Sequence, residues 1–157
     1  MKNHGNIRPK ESNRWIKIVN NCIFCKIVKK EIPATIVYED EHTLAFMDIG
    51  PIVKGHVLVI PKTHYDPLTE TPDEIVAQLH TVAKRIAQAQ IDGLGADGVN
   101  IMQNNGAAAG QEVPHIHVHV IPRFTDDGHH WNWAAKKYDD FEEMAELAEK
   151  MLSSFHL

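Results

Sequence analysis

No apolar run in this chain approaches the roughly 18–20 residues that span a bilayer, and the opening residues carry no apolar signal core. Both absences predict a cytoplasmic protein, neither embedded in a membrane nor secreted by that route. Positive charge is also scarce: 16 Lys and Arg stand against 21 Asp and Glu, a net −5. A surface that grips nucleic acid mainly through phosphates needs the opposite balance, so neither nucleic acid nor membrane is expected as a partner. The phosphate-cradling loop GxxxxGK[ST] is missing, as are internal repeats and any linker that would divide the chain. Cysteine is limited to Cys22 and Cys25, but 157 residues bury an adequate core without disulfide staples.

Histidine, by contrast, is abundant: 11 residues, and they are not scattered. His115, His117 and His119 alternate with Ile116, Val118 and Val120. His56 and His64 flank the β-like run HVLVIP, His56–Pro61, and His129 and His130 follow the triplet. His4, His42, His80 and His156 are isolated.

Residues 1–20 are polar with little periodicity and read as a loosely ordered extension, touching the body through Trp15, Ile16 and Ile18. Residues 21–157 read as a single domain. Cys22–Lys30 is a short helical or irregular piece. Thr35–Asp40 and Thr43–Asp48 form a hairpin turning at Glu41-His42, and Gly50-Pro51 breaks the chain. The clearest helix begins with Thr71 as N-cap, Pro72 at the first helical position and Glu74 closing a capping box. Its apolar face is Ile75, Leu79, Val82 and Ile86, and Gly93 or Gly95 ends it. Val99–Gln103 and His115–Pro122 are strands separated by the small-residue loop Asn104–Gly110. Asp139–Phe155 is a second helix whose Phe141, Met144, Ala148, Met151 and Phe155 side is expected to pack in the core. The sum is an α+β domain: a mainly antiparallel sheet of about five strands with two main helices.

Side chains in a strand alternate between faces. His115, His117 and His119 therefore share one face, and Ile116, Val118 and Val120 share the other, against a helix. A lone strand histidine is usually structural, but three in strict alternation put titratable rings in a row. Such a row suits nucleophilic or acid–base chemistry, because imidazole titrates near pH 6.5. It also suits a metal, since alternate imidazoles can converge on one ion. Cys22 and Cys25 form CxxC, which fits a zinc half-site, a redox pair or two buried thiols. A thioredoxin-like pair would need a βαβ context that is absent, and a zinc site would need two further N or S ligands.

The segments CIFCKIVKKEIPATIVYEDEHTLAFMDIGP (22–51), KGHVLVIPKTH (54–64) and NNGAAAGQEVPHIHVHVIPR (104–123) resemble, in this order, the histidine triad (HIT) family of nucleotide hydrolases and transferases. The resemblance extends over about residues 22–125 and implies a HIT-like fold. It implies His117 as the nucleophile that attacks an α-phosphorus and forms a nucleotidyl-histidine. His119 is then a hydrogen-bond donor to the phosphate or leaving group, and His56 completes the cluster from a neighbouring strand; no catalytic metal is required. The nucleoside pocket maps to Phe24, Ile32, Phe46, Asp48 and Ile49, with Asp48 accepting from the ribose hydroxyls. Asn104, Gly110 and Gln111 fall on the phosphate side. Glu112 departs from the pattern, because some members carry a hydroxyl residue there. Zinc-containing bacterial members use CxxC, the histidine of the PKxH stretch and the first triad histidine, which map to Cys22, Cys25, His64 and His115 as a structural site. The resemblance further implies a homodimer and an adenosine-type substrate, a phosphoramidate or a dinucleoside polyphosphate. The competing expectation is a nucleotide-binding regulatory module with little turnover.

Overall fold

The computed structural model describes residues 19–130 and 134–155. The expected contacts of Trp15, Ile16 and Ile18, and the roles open to Trp131 and Trp133, lie outside the described residues. A short helix α1 (Ile23–Val28) leads into the hairpin β1 (Ile36–Glu39) and β2 (Thr43–Met47), then β3 (Val57–Pro61). The long helix α2 (Asp73–Leu94) follows, then β4 (Gly98–Met102), β5 (Val118–Arg123) and the terminal helix α3 (Phe141–Leu152). The five strands form one sheet in the order β1-β2-β3-β5-β4, every neighbouring pair antiparallel.

The alternation of apolar side chains puts a core on each face of the sheet. On one face Leu79, Val82, Ala83 and Ile86 of α2 pack against Ala45, Val57, Val59, Ile116, Val118 and Val120. On the other, Cys22, Phe24 and Cys25 cover Leu44, Phe46, Leu58 and Ile60. Burying a large aliphatic side chain stabilises by about 1.5–3 kcal/mol, so β2, β3 and β5, buried on both faces, anchor the domain. Asp40 closes the β1–β2 hairpin by accepting from the backbone N–H groups of His42 and Thr43 at 2.9 and 2.7 Å. Gly95 ends α2 in the left-handed conformation at φ 68°, where a glycine carries no Cβ penalty.

Three expectations need correction. Thr71 does not cap α2: its hydroxyl donates backward to the carbonyl of Pro67 at 3.0 Å, Pro72 takes the N-cap position and no side-chain cap bond forms. The last strand begins at Val118, not His115, because the backbone N–H of Ile116 pairs with Tyr65 outside the sheet, at 2.8 Å. The terminal helix is not core. Asp140 caps it by accepting from the N–H of Glu143 at 2.8 Å, yet Phe141 is 85% and Met151 62% exposed, and no residue of α3 is buried. Its apolar stripe obeys helical spacing but finds no partner element within the described part of this chain. Among the described residues no helix is long and apolar enough to cross a membrane.

Candidate active site and metal centre

Two clusters sit end to end along the segment from His115 to His119. The first joins Cys22 and Cys25, at the start of α1, to His64, just beyond β3, and to His115. The Cys22 Sγ lies 3.4 Å from Nδ1 of His115, and the Cys25 Sγ lies 3.4 Å from Nδ1 of His64 and 3.7 Å from Nδ1 of His115. All four ligand atoms fall within 4.8 Å of one another. A tetrahedral zinc with its usual bond lengths separates S and N by about 3.6 Å, so the spacing suits that ion. The donor set agrees. Nε2 of His115 donates to the carbonyl of Pro61 at 2.9 Å, which leaves Nδ1 bare and aimed at the sulfurs, the outer-sphere arrangement common to metal-bound histidine. Without a cation, burial and the neighbouring Cys22 push the Cys25 thiol up to about 12, and burial pushes His115 down to about 4. A divalent cation reverses the preference of the thiols for their protons. The cluster is therefore suited to a structural zinc held by Cys22, Cys25, His64 and His115.

The second cluster is the row of imidazoles that continues from it. His117 is 5% exposed, and its Nδ1 donates to the carbonyl oxygen of His115 at 2.7 Å. That bond fixes the tautomer, so Nε2 carries the lone pair. Phe24 stands edge-on to the ring, with centroids 5.2 Å apart, and also meets Phe46 and His115 edge-on at 5.6 and 5.8 Å. Burial against this apolar wall is the main reason the His117 pKa falls below its ordinary value. His119 packs on His117 at 4.9 Å between centroids and lies opposite Leu58 of β3 and Met102 of β4. Its Nδ1 is 3.0 Å from Nε2 of His56. His56 is 1% exposed, and Asp48 Oδ2 is 3.4 Å from its Nδ1. Burial, reinforced by the neighbouring rings, lowers His119 to about 4 and also lowers His56. The rings are thus neutral at pH 7.

The remaining predicted residues distribute unevenly. Phe24 and Phe46 are buried beside the cluster, and Asp48 is partly exposed at the end of β2. Ile32 lines a separate cavity of about 210 Å³ with Ile27, Pro33, Ala34 and Ile36, and Ile49 is 98% exposed. Gly110 sits at φ 86° and its carbonyl accepts from Asn104 at 3.5 Å. Gln111 braces the loop: it accepts from the N–H of Gly106 at 2.7 Å and donates to Asp66 at 2.9 Å and to the carbonyl of Val113 at 3.0 Å. Glu112 is exposed. His129 belongs to a corner instead: Arg123 pairs with Asp127 at 2.7 Å and donates to the His129 carbonyl at 2.7 Å.

Two supports lie outside the residues predicted from the sequence. Gln90 donates through Nε2 to the carbonyls of Gly55 and Val120, both at 2.9 Å, tying the His56 loop to β5. Its signal was available: a polar residue four positions after Ile86 on the apolar face of α2. The other support is the backbone N–H of Ile52, 3.3 Å from Nδ1 of His56, which no side-chain pattern reports.

A conserved-domain model, "HIT domain", matches residues 29–126, and the chain belongs to the HIT family. It is 41% identical over 133 residues to the adenosine 5′-monophosphoramidase HNT1 of Saccharomyces cerevisiae, covering 84% of this chain and 81% of the yeast protein. The fold is shared with a HIT family protein of Bacillus subtilis of known crystal structure, at TM-score 0.79 and 40% identity over 87% of this chain and 99% of that one. A zinc-bound histidine triad protein of Mycobacterium smegmatis is similar at TM-score 0.67 and 44% identity, over 87% of this chain and 99% of that one.

Proposed function

We infer that the protein hydrolyses a nucleoside monophosphate conjugate at the α-phosphate, through a covalent nucleotidyl-histidine on His117. The observation that carries this reading is the 2.7 Å bond from His117 Nδ1 to the His115 carbonyl, which leaves Nε2 unprotonated in a neutral, buried ring. In the first step Nε2 forms a bond to the α-phosphorus. The bond from phosphorus to the leaving nitrogen or oxygen breaks, and His119 Nε2–H gives that atom its proton. In the second step the deprotonated His119 takes a proton from water as its oxygen attacks phosphorus, and the P–N bond to His117 breaks to release the nucleoside monophosphate. Dividing one displacement into two is what nucleophilic catalysis contributes, and aligned N–H donors stabilise the charge that develops on the phosphoryl oxygens.

Phe24 and Phe46 supply the apolar side of the nucleoside pocket and Asp48 the acceptor for ribose hydroxyls; Ile32 and Ile49 would complete it only as a rim. Asn104, Gly110 and Gln111 hold the phosphate-side loop. Glu112 is exposed and its charge reaches His117, where it favours the protonated ring, so this reading gives it no part in assisting the leaving group. An adenosine phosphoramidate is the favoured substrate, because the similar yeast protein is an adenosine 5′-monophosphoramidase. The zinc is structural, and its role is to hold His115 in place.

His117→Ala, purified with its metal, tests the reading. Turnover of adenosine phosphoramidate falls by at least a thousandfold while the circular dichroism spectrum is unchanged, and mass spectrometry of quenched native enzyme finds an adenylylated histidine. Retained turnover in the variant is incompatible with the mechanism. Nucleotide binding without turnover at enzyme excess in the native protein would instead favour a regulatory binding module.

A further inference from the structure

His56 is buried and has two partners competing for one of its nitrogens. The backbone N–H of Ile52 approaches Nδ1 at 3.3 Å, and Asp48 Oδ2 approaches the same Nδ1 at 3.4 Å. A ring nitrogen holds either a proton or a lone pair, so the two contacts cannot be satisfied together. An N–H needs the lone pair; a carboxylate needs the proton. The choice is passed on, because Nε2 of His56 faces Nδ1 of His119 at 3.0 Å.

When Asp48 holds the proton of His56 Nδ1, Nε2 accepts from His119 Nδ1–H, and His119 Nε2 is bare. When Ile52 donates to Nδ1, His56 Nε2–H donates to His119 Nδ1, and His119 carries its proton on Nε2. Only the second arrangement gives a leaving group a proton. Burial keeps both rings neutral at pH 7, so the difference is one of tautomer.

What selects between them is whatever competes for Asp48. Its Oδ1 already accepts from the N–H of Gly50 at 2.8 Å, and its side chain is 20% exposed, so a ligand hydroxyl reaches the carboxylate. We propose that Asp48, His56 and His119 form a tautomer relay in which ribose hydroxyls, by occupying the Asp48 carboxylate, release His56 to Ile52 and arm His119 as the proton donor. This rests on the preceding reading of Asp48 as the sugar acceptor and His119 as the leaving-group donor. The protons balance. One crosses the 3.0 Å contact from His119 Nδ1 to His56 Nε2. The His56 Nδ1 proton leaves through Asp48 to solvent, and His119 Nε2 takes one from solvent, so the pair holds two throughout. His56, a positioning residue here, makes the acid available only with a ribosyl substrate in place.

The test uses the full-length, zinc-loaded protein with ¹⁵N-labelled histidine, read by two-bond ¹H–¹⁵N spectra at pH 7.5. With no nucleotide, and with 2′,3′-dideoxyadenosine monophosphate, His56 is expected protonated at Nδ1. With adenosine monophosphate, both His56 and His119 are expected protonated at Nε2. Asp48→Ala is expected to show that second pattern without any nucleotide. If adenosine monophosphate shifts the His117 signals but leaves the tautomers of His56 and His119 unchanged, the relay is overturned and the functional reading stands. If it leaves His117 unshifted at saturating concentration, both fall. In turnover, removing the two hydroxyls from the substrate lowers kcat about a hundredfold, the low end of general-acid effects, for an alkylamine leaving group. For fluoride, which needs no proton, the expected loss is under threefold; equal losses for the two would also overturn the relay.

Discussion

Replacing Phe24 by Ala tests how the protein keeps its proposed nucleophile neutral. The ring is 6% exposed and wedged against Phe46, His115 and His117. Truncating a buried Phe costs about 3–5 kcal/mol in lost transfer energy and cavity formation. Against the roughly 5–15 kcal/mol that holds an ordinary domain folded, the variant is weakened but measurable. The functional effect follows from the same cavity. Burial is the largest cause of the depressed His117 pKa, so water admitted beside the ring raises it toward the ordinary 6.5 or so. The acid limb of kcat/KM, which reports the free enzyme, then moves to higher pH. Phe24→Leu, which refills most of the volume, costs under about 1.5 kcal/mol and moves the limb less. Urea unfolding with zinc present and a pH profile on adenosine phosphoramidate read both quantities. A loss of 3 kcal/mol or more with an unmoved acid limb would refute the assignment of Phe24 as the wall that desolvates His117.

Metal analysis of the purified protein is expected to give about one zinc per chain, and Cys22→Ser to lose it; native protein with less than about a tenth of an equivalent would sink the metal assignment. Acidification gives a signed prediction. His115 binds protons with a pKa of about 4 when folded and about 6.5 when unfolded, so the unfolded chain binds more protons. Stability is therefore complete above pH 6.5 and declines as pH falls toward 4, by about 3 kcal/mol for this residue in chelator-treated protein; equal urea midpoints at pH 7 and pH 5 would contradict it. Gly55→Ala places a Cβ 2.8 Å from Leu94 and 3.0 Å from Pro122 at φ +100°, and is expected to lower stability by about 1–3 kcal/mol in thermal unfolding. Light scattering at micromolar concentration is expected to give twice the 17.7 kDa of one chain; a monomer mass would refute the dimer.

The triplet of histidines was legible because alternation in an extended segment gives a shared face, and this holds although the strand itself starts only at Val118; the apolar residues between them set the direction of that face. The spacing of CxxC alone left a set of alternatives; the resemblance pointed to His64 and His115 as its partners, and the fold brings the four ligand atoms together. What escaped the sequence has a common physical origin. Thr71 satisfied the pattern of an N-cap, but its hydroxyl found the Pro67 carbonyl instead. Helix α3 has an apolar stripe as regular as that of α2, and periodicity cannot say whether such a stripe meets its own core. Ile49 and Ile32 are apolar residues near the right segments, yet one projects outward and the other lines a different cavity. The Ile52 N–H and the Pro61 carbonyl are backbone groups, identical in every residue and visible only once the chain is folded; a backbone acceptor for His117 within the triad segment is expected from the sequence, and it is the carbonyl of His115.

His115 belongs to both clusters at once. Its side chain meets the sulfurs of Cys22 and Cys25, its Nε2 is tied to the end of β3, and its carbonyl holds the ring of His117. One residue is thus the hinge pin between a thiol corner and the proposed reaction centre. An agent that displaces the Cys22 and Cys25 sulfurs therefore acts on the residue that also orients His117. On the proposed mechanism, a small rotation of its peptide plane would reach the ring of His117 as an aiming error, through the bond from its Nδ1 to the His115 carbonyl.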